Sequence, residues 1–317
     1  MKKLVSLVLA LMLCLSCVSA LAAEAWTVTC PWAPSGVAAM VNQKAASLST
    51  TYSQDYVLVA NAEKGDTATI NSWLTKYTEA DPQMCFIGEG MFGITAILDP
   101  ERMNFTYDDF EYVENLYSSI FVASARKELG LTSIDALKAY LEEGNQIMVG
   151  TNGATGSEAF LAAALIGAMG YGDQFYLIPY ESAAEAAQAV ARGEVDIAVS
   201  HQSQILETWQ QGGVDVFAAF DGEPIAQGPF KGVEGVGQYG YPYFRNRCFI
   251  FAKAGADEQK IADLKALYAQ ILTDEEMVDW LNNTMLLEAD VMTEEEVIAH
   301  IDNVKNIVEE YYDLVAE

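Results

Sequence analysis

At 317 residues, with 51% of them hydrophobic, the chain is long enough for about two domains and too apolar to be disordered. A formal charge of −28 argues against nucleic acid and against an anionic membrane surface, both of which demand basic patches. It leaves room for a small anion in a cleft, because local N–H groups and one arginine outweigh a surface charge that salt screens over about 8–10 Å.

The first 22 residues read as a secretory signal peptide, outside the fold. Lys2 and Lys3 make a positive start, "LVSLVLALMLCL" is too short to span a bilayer comfortably, and Ala20–Ala22 gives a small-residue cleavage signal near Ala22 or Ala23. The alternative is a lipoprotein modified at Cys17, although the position three before it is Cys14 and not an aliphatic residue. No later apolar run is long enough to cross a membrane, so a soluble mature protein outside the cytoplasm is expected. Cys30, Cys85 and Cys248 remain after cleavage and match no zinc spacing. Buried small hydrophobes are the preferred reading for them, with one disulfide as the alternative.

From there the chain alternates apolar strands with helical spacing. "WTVTCPW" reads as a strand, "GVAAMVNQKAASLS" as a helix, "YVLVANA" as a strand, "ATINSWLTKYT" as a helix and "QMCFIGEG" as a strand. "FVASARK" is a strand, and "SIDALKAYLEEG" a helix capped by Ser133. "QIMVGT", "FYLIPY" and "VDIAVSH" are strands separated by the helices "GSEAFLAAALIGAMG" and "AAEAAQAVARG". After Gly212 come the strand "GGVDVFAAFDGE", a loop rich in glycine and tyrosine, and the strand "RCFIFAKAG". The rest is helical, with Asp257, Thr273 and Thr293 as expected caps. This rhythm predicts α/β architecture with open, mostly parallel sheets, whose ligands bind beyond the strand ends.

Two turns stand at strand-to-helix junctions, the proline-marked Pro31–Gly36 and the glycine-rich Gly150–Ser157. Free N–H groups at a helix start favour an anion. In "VGTNGATGSEAF" no lysine follows the glycines, and Glu158 sits in the first helical turn. Both features argue against phosphate and leave a carboxylate, held by Thr151, Asn152, Thr155, Gly156 and Ser157, as the candidate. A plain solvated turn is the competing reading. Neither "GxSxG" nor "HExxH" occurs, and the acidic triplets look like helix first turns, so no enzyme, metal or cofactor is expected.

Several segments together resemble the receptors of tripartite tricarboxylate transporters, the Bug family. "IPYESAAEAAQAVARGEVDIAVS" is similar to that family's "VPYKGxxPAxxALLGGxVD", "VTCPWAPSG" to "VVPFPPGG", and "VLVANAEKGD" to "VVENKPGAGG". "TSIDALKAYLEEGNQIMVGTNGATGS" and "FRNRCFIFAKAGADEQKIADLKALYAQILTDEEMVDWL" resemble further family segments, in the family's order and over nearly the whole mature chain.

The resemblance implies a two-lobed periplasmic-binding-protein fold of type II. Lobe one is expected from residues 23–123 and 247–317, and lobe two from 124–246, with the cleft between them closing by a hinge. It implies a monomer that captures a small organic acid, a di- or tricarboxylate or an aromatic acid, and delivers it to integral membrane transporter subunits. A same-fold receptor for an amino acid or a non-carboxylate, and a secreted enzyme, are the alternatives.

The site residues it implies in the first loop are Trp32, Ala33, Pro34, Ser35 and Gly36. Ala39 stands where many members carry an aspartate, which weakens the case for an amino-acid ligand. Further strand ends add Gly88, Glu89, Tyr180, Ser200 and His201. Asp196 is expected to tie backbone, and His300 to be solvated. Arg247 falls where the family carries an arginine and is a candidate for a bidentate grip on a second carboxylate, with a surface ion pair as the competing reading.

Overall fold

The structure is a computed structural model that describes residues 23–315. The signal peptide and Cys17 lie outside the described residues.

Two five-stranded sheets organise the molecule. The first has the order β2-β1-β3-β10-β4, from β1 (Glu24–Cys30), β2 (Tyr56–Ala62), β3 (Gln83–Gly88), β4 (Phe110–Ser119) and β10 (Asn246–Lys253). The second has the order β7-β6-β8-β5-β9, from β5 (Phe121–Arg126), β6 (Ile147–Asn152), β7 (Phe175–Tyr180), β8 (Ile197–His201) and β9 (Val214–Ala219). The layout is the same in both. Three strands pair in parallel, and one strand, β10 or β5, runs antiparallel to its two neighbours. Those two antiparallel strands are the ones that follow a change of sheet. Ile120 alone separates β4 from β5, and the chain returns to the first sheet at Asn246.

Each sheet is covered on both faces, as strands of continuous apolar character require. Along β10 the alternation is direct. Cys248, Ile250 and Ala252 join a core with Trp26, Phe86 and Tyr268, while Phe249 and Phe251 join an aromatic core with Trp73, Phe92 and Phe110. In β5, Phe121, Ala123 and Ala125 face one core, and Val122 the other. The long helix Glu294–Glu310 serves both halves. Val297 and Ile301 pack into the aromatic core beside the first sheet, and Val304 and Val308 into the core beside the second.

Helix caps follow local chemistry with one correction. Ser133 Oγ accepts from Ala136 N–H at 3.1 Å, and Asp257 and Thr293 also cap by side chain. Thr273 does not. It ends the preceding helix and returns its hydroxyl to Ala269 O at 3.1 Å, while Asp274 accepts from Met277 N–H at 3.0 Å. Cys30, Cys85 and Cys248 are free and buried, which corrects the disulfide alternative.

Strand β4 and the helix Gln202–Gln210 were not expected from sequence. Polar residues interrupt the apolar alternation of "FEYVENLYSS", yet Glu114 and Asn115 are buried. Tyr112 and the Asn115 N–H donate to Glu114, and the Asn115 amide donates to Asp290 O at 2.6 Å. Long-range partners of that kind leave no local signal.

Candidate ligand cleft

A cavity of about 750 Å³ lies where the carboxyl ends of β1, β3, β6 and β8 meet between the two sheets. Three helices open on it without a side-chain cap: Val37–Tyr52, Thr67–Lys76 and Ser157–Ala168, preceded by Gly36, Asp66 and Gly156. Their first N–H groups lack the partners that serines, threonines and aspartates give most other helix starts. The helix Ala183–Ala191 also begins there, but Ser182 caps it by accepting from Glu185 N–H at 3.2 Å.

The walls touch at three places. Ser157 Oγ donates to Glu89 Oε1 at 3.1 Å. Arg102 Nη1 donates to Thr155 Oγ1 at 2.9 Å, and Lys64 pairs with Glu181 at 2.6 Å. A Cβ on Gly90 would lie 2.7 Å from Ser157 Oγ, so glycine is what lets the walls approach this closely. Gly153, at φ +73°, turns the second loop in a conformation that other residues rarely adopt.

Glu89 is fully buried and well served. Its carboxylate accepts from Ser157, from Asn246 Nδ2 at 2.9 Å and from Arg247 N–H at 2.7 Å. Burial still pushes it up to about 6, against those hydrogen bonds. Glu158 is only 6% exposed, and its one hydrogen-bonding neighbour is its own backbone N–H. Burial pushes it up to about 7, and the nearby charges of Glu89 and Asp66 add to the effect. His201 packs its ring 4.6 Å from that of Phe121 and shares a 2.8 Å hydrogen bond with Ser119 through Nδ1. Burial pushes it down to about 3, so it is neutral near pH 7.

The same layout occurs in known structures. No family model matches the sequence, and no curated protein matches it. Solved structures match over nearly their full length. MatC from Rhodopseudomonas palustris, solved with malate, shares 17% identity at a TM-score of 0.76, over 92% of this chain and 98% of that one. Another R. palustris protein, solved with adipate, gives 15% and 0.80, over 92% and 96%. The periplasmic binding protein BugD gives 16% and 0.78, over 92% and 98%. The fold is that of a two-lobed periplasmic binding protein. Structures of the tripartite tricarboxylate type are among those that share it.

In this binding-protein fold, most of the residues expected from sequence come together. Trp32, Ala33, Gly36, Gly88, Glu89, Asn152, Thr155, Gly156, Ser157, Tyr180 and His201 all line the cavity.

Others do not. Pro34 and Ser35 are exposed, outside the wall. Thr151 is buried and donates its hydroxyl to Gly153 O at 2.7 Å, which shapes the loop. Ser200 is buried and does not line the cavity. Phe160 stacks on Phe244 in the core. Asp196 ties backbone as expected, accepting from Met148 N–H at 2.8 Å.

Arg247 offers the cleft only its backbone. Its guanidinium turns the other way, pairing with Asp290 at 2.6 Å and meeting His300 Nδ1 at 3.0 Å. Strand alternation explains this: Asn246 and Cys248 turn their side chains to the cavity, so Arg247 between them turns its side chain to the other face of the sheet. His300 is accordingly part-buried against Arg247 and not solvated, and burial with the Arg247 charge pushes it down to about 3.

Sequence reasoning missed Lys64, Asp66, Asp99, Arg102, Gln204 and Asn246 on the cavity wall. Asp66, at φ 50°, was findable as a turn residue in "EKGDT", but Arg102 comes from a segment with no periodic signal.

Proposed function

We propose that this chain is an extracytoplasmic solute receptor that captures a small organic acid in the cleft and hands it to an integral membrane transporter of the tripartite tricarboxylate type. The observation that carries this reading is the convergence of uncapped helix starts from both lobes on one cavity. The starts at Val37 and Ser157 offer N–H groups to the same bound carboxylate, and each charge-assisted bond contributes roughly 1.5–3 kcal/mol. The malate and adipate in two neighbours of this fold support the ligand class. A cavity of this size suits a molecule with about ten heavy atoms or more, with water filling the remainder.

The proposed lobes are residues 23–123 with 247–317, and 124–246. The sheet changes at Ile120 and before Asn246 fall within about three residues of those bounds and support a division of this kind. A signal peptide over residues 1–22 fits export, with Cys17 as an alternative lipid site. The proposed contacts are Trp32, Ala33, Gly36, Gly88, Asn152, Thr155, Gly156, Ser157, Tyr180 and His201, with Arg102 taking the role first considered for Arg247. Catalysis is not part of this reading.

A thermal-shift screen against mono-, di- and tricarboxylates, aromatic acids and amino acids tests it. Ligand binding to the folded state alone raises stability by about 2.7 kcal/mol at a hundredfold excess over Kd. A shift by a solute class without carboxylates, and by no acid, would sink the reading.

A further inference from the structure

Resting on the reading of the cleft as an organic-acid site, we propose that the acid it holds also carries a protonated amine, seated between the carboxylate of Glu158 and the amide oxygen of Asn246. A receptor for ammonium-bearing acids differs in substrate class from one for plain di- or tricarboxylates.

The first observation is charge. Five acids line the cavity, Asp66, Glu89, Asp99, Glu158 and Glu181, against two cations, Lys64 and Arg102. Both cations are engaged. Lys64 holds Glu181 at the rim, and Arg102 lies 3.4 Å from Asp66 and 3.8 Å from Asp99. His201 adds no charge near neutral pH. A dicarboxylate would enter a wall that already has a surplus of negative charge, whereas an ammonium group would offset it.

The second observation is unpaired acceptors. Glu158 is more than nine-tenths buried on the cavity wall and takes a hydrogen bond from no other residue. Asn246 is 7% exposed on the same wall. Its Nδ2 is committed to Glu89, and its Oδ1 has no partner among the described residues. Both belong to the wall around Glu89: Asn246 and Ser157 donate to the same oxygen of Glu89, and Glu158 lines the same cavity within reach of the Glu89 charge. Glu89 itself is occupied by three donors and acts as the bracket between them. A buried acceptor without a donor, as Asn246 Oδ1 is, costs stability unless a ligand supplies the hydrogen; Glu158 has only its own N–H and room for more donors, and an ammonium group supplies three.

Titration calorimetry at pH 7.5 with length-matched probes tests the proposal: glutarate, adipate, L-glutamate, 5-aminopentanoate and pentylamine. At least one amino acid should bind tenfold or more tighter than the dicarboxylate of its length. Glu158→Gln should remove that preference by tenfold or more while leaving dicarboxylate binding unchanged or stronger. Glu158→Ala is the second variant, and melting curves show that each folds. Tighter binding of the dicarboxylates by the parent, an unchanged preference in Glu158→Gln, or no binding of either amino acid overturns the amine seat. Dicarboxylate binding alone would leave the organic-acid reading standing. Binding of pentylamine with none of the acids would overturn that reading as well.

Discussion

Ser157 and Glu89 join the two lobes directly: the hydroxyl at the first turn of a lobe-two helix donates to a buried carboxylate just past the end of β3 in lobe one, at 3.1 Å. The contact is possible because Gly90 carries no side chain at the point of closest approach. Gly90→Ala places a methyl 2.7 Å from Ser157 Oγ, so either that hydroxyl turns away and gives up Glu89 or the lobes draw apart. The variant should lose about tenfold or more in ligand affinity and keep its melting temperature within a few degrees, because each lobe's core is untouched. Small-angle scattering should show it more open than the parent. Unchanged affinity would mean that this approach plays no part in closure.

Arg102 and Arg247 separate binding from scaffolding. Arg102 crosses the cleft to Thr155 and is part-exposed, whereas Arg247 is half-buried against Asp290 on the outer side. Arg102→Ala should weaken acid binding about tenfold with little loss of stability. Arg247→Ala should do the reverse, destabilising by roughly 1–3 kcal/mol through the carboxylate left without its partner, with affinity nearly unchanged. Calorimetry and chemical denaturation on the same two variants decide it, and a large affinity loss in Arg247→Ala would contradict the geometry.

These two arginines also show what sequence could and could not disclose. Both strand-to-helix turns were legible, because a strand running into proline or small residues and then a helix is a local pattern. Trp32, Gly36, Gly156 and Ser157 came from it. The direction of a side chain at a strand end is not local. Arg247 was placed correctly along the chain, yet its guanidinium leaves the cleft because a neighbouring segment puts Asp290 on the far side. Arg102 and Asn246 carry no motif. They belong to the site only because the chain crosses twice between sheets and brings residue 246 beside residue 89. Strand β4 was hidden for the same reason, its polar centre being satisfied by segments more than a hundred residues away.

The thiols offer a simple check on packing. Cys30 and Cys85 are fully buried and Cys248 is 5% exposed, and burial pushes the Cys30 thiol up to about 12. A buried, protonated thiol is a poor nucleophile. A disulfide-exchange reagent at pH 8 should label none of the three within minutes in the native protein and all three once denaturant unfolds it. Rapid labelling of Cys248 alone would reveal an open cleft, since that residue lines the cavity, and ligand should suppress it.

Glu158 should make the empty receptor lose stability as pH rises. Its folded carboxyl keeps its proton up to about 7, against an ordinary value of 4.5, so the folded state binds more protons between those limits. Stability is therefore highest below about 4.5 for this group and falls until about 7, by on the order of 3 kcal/mol. Glu89, pushed up to about 6, acts in the same sense. His201 acts oppositely, because burial holds it neutral, and its contribution is lost as pH falls below 6.5. Comparing the parent with Glu158→Gln isolates one group. The variant should be more stable than the parent at pH 7.5 and no more stable at pH 4.5. An ammonium-bearing acid should bind the parent more tightly as pH rises through 7, since binding favours the ionised carboxylate and expels its proton. A dicarboxylate should show the opposite slope. Denaturation curves at the two pH values, with calorimetry in buffers of different ionisation heat, measure both effects. An affinity for amino acids that falls between pH 6 and 8 would show that Glu158 does not face the amine.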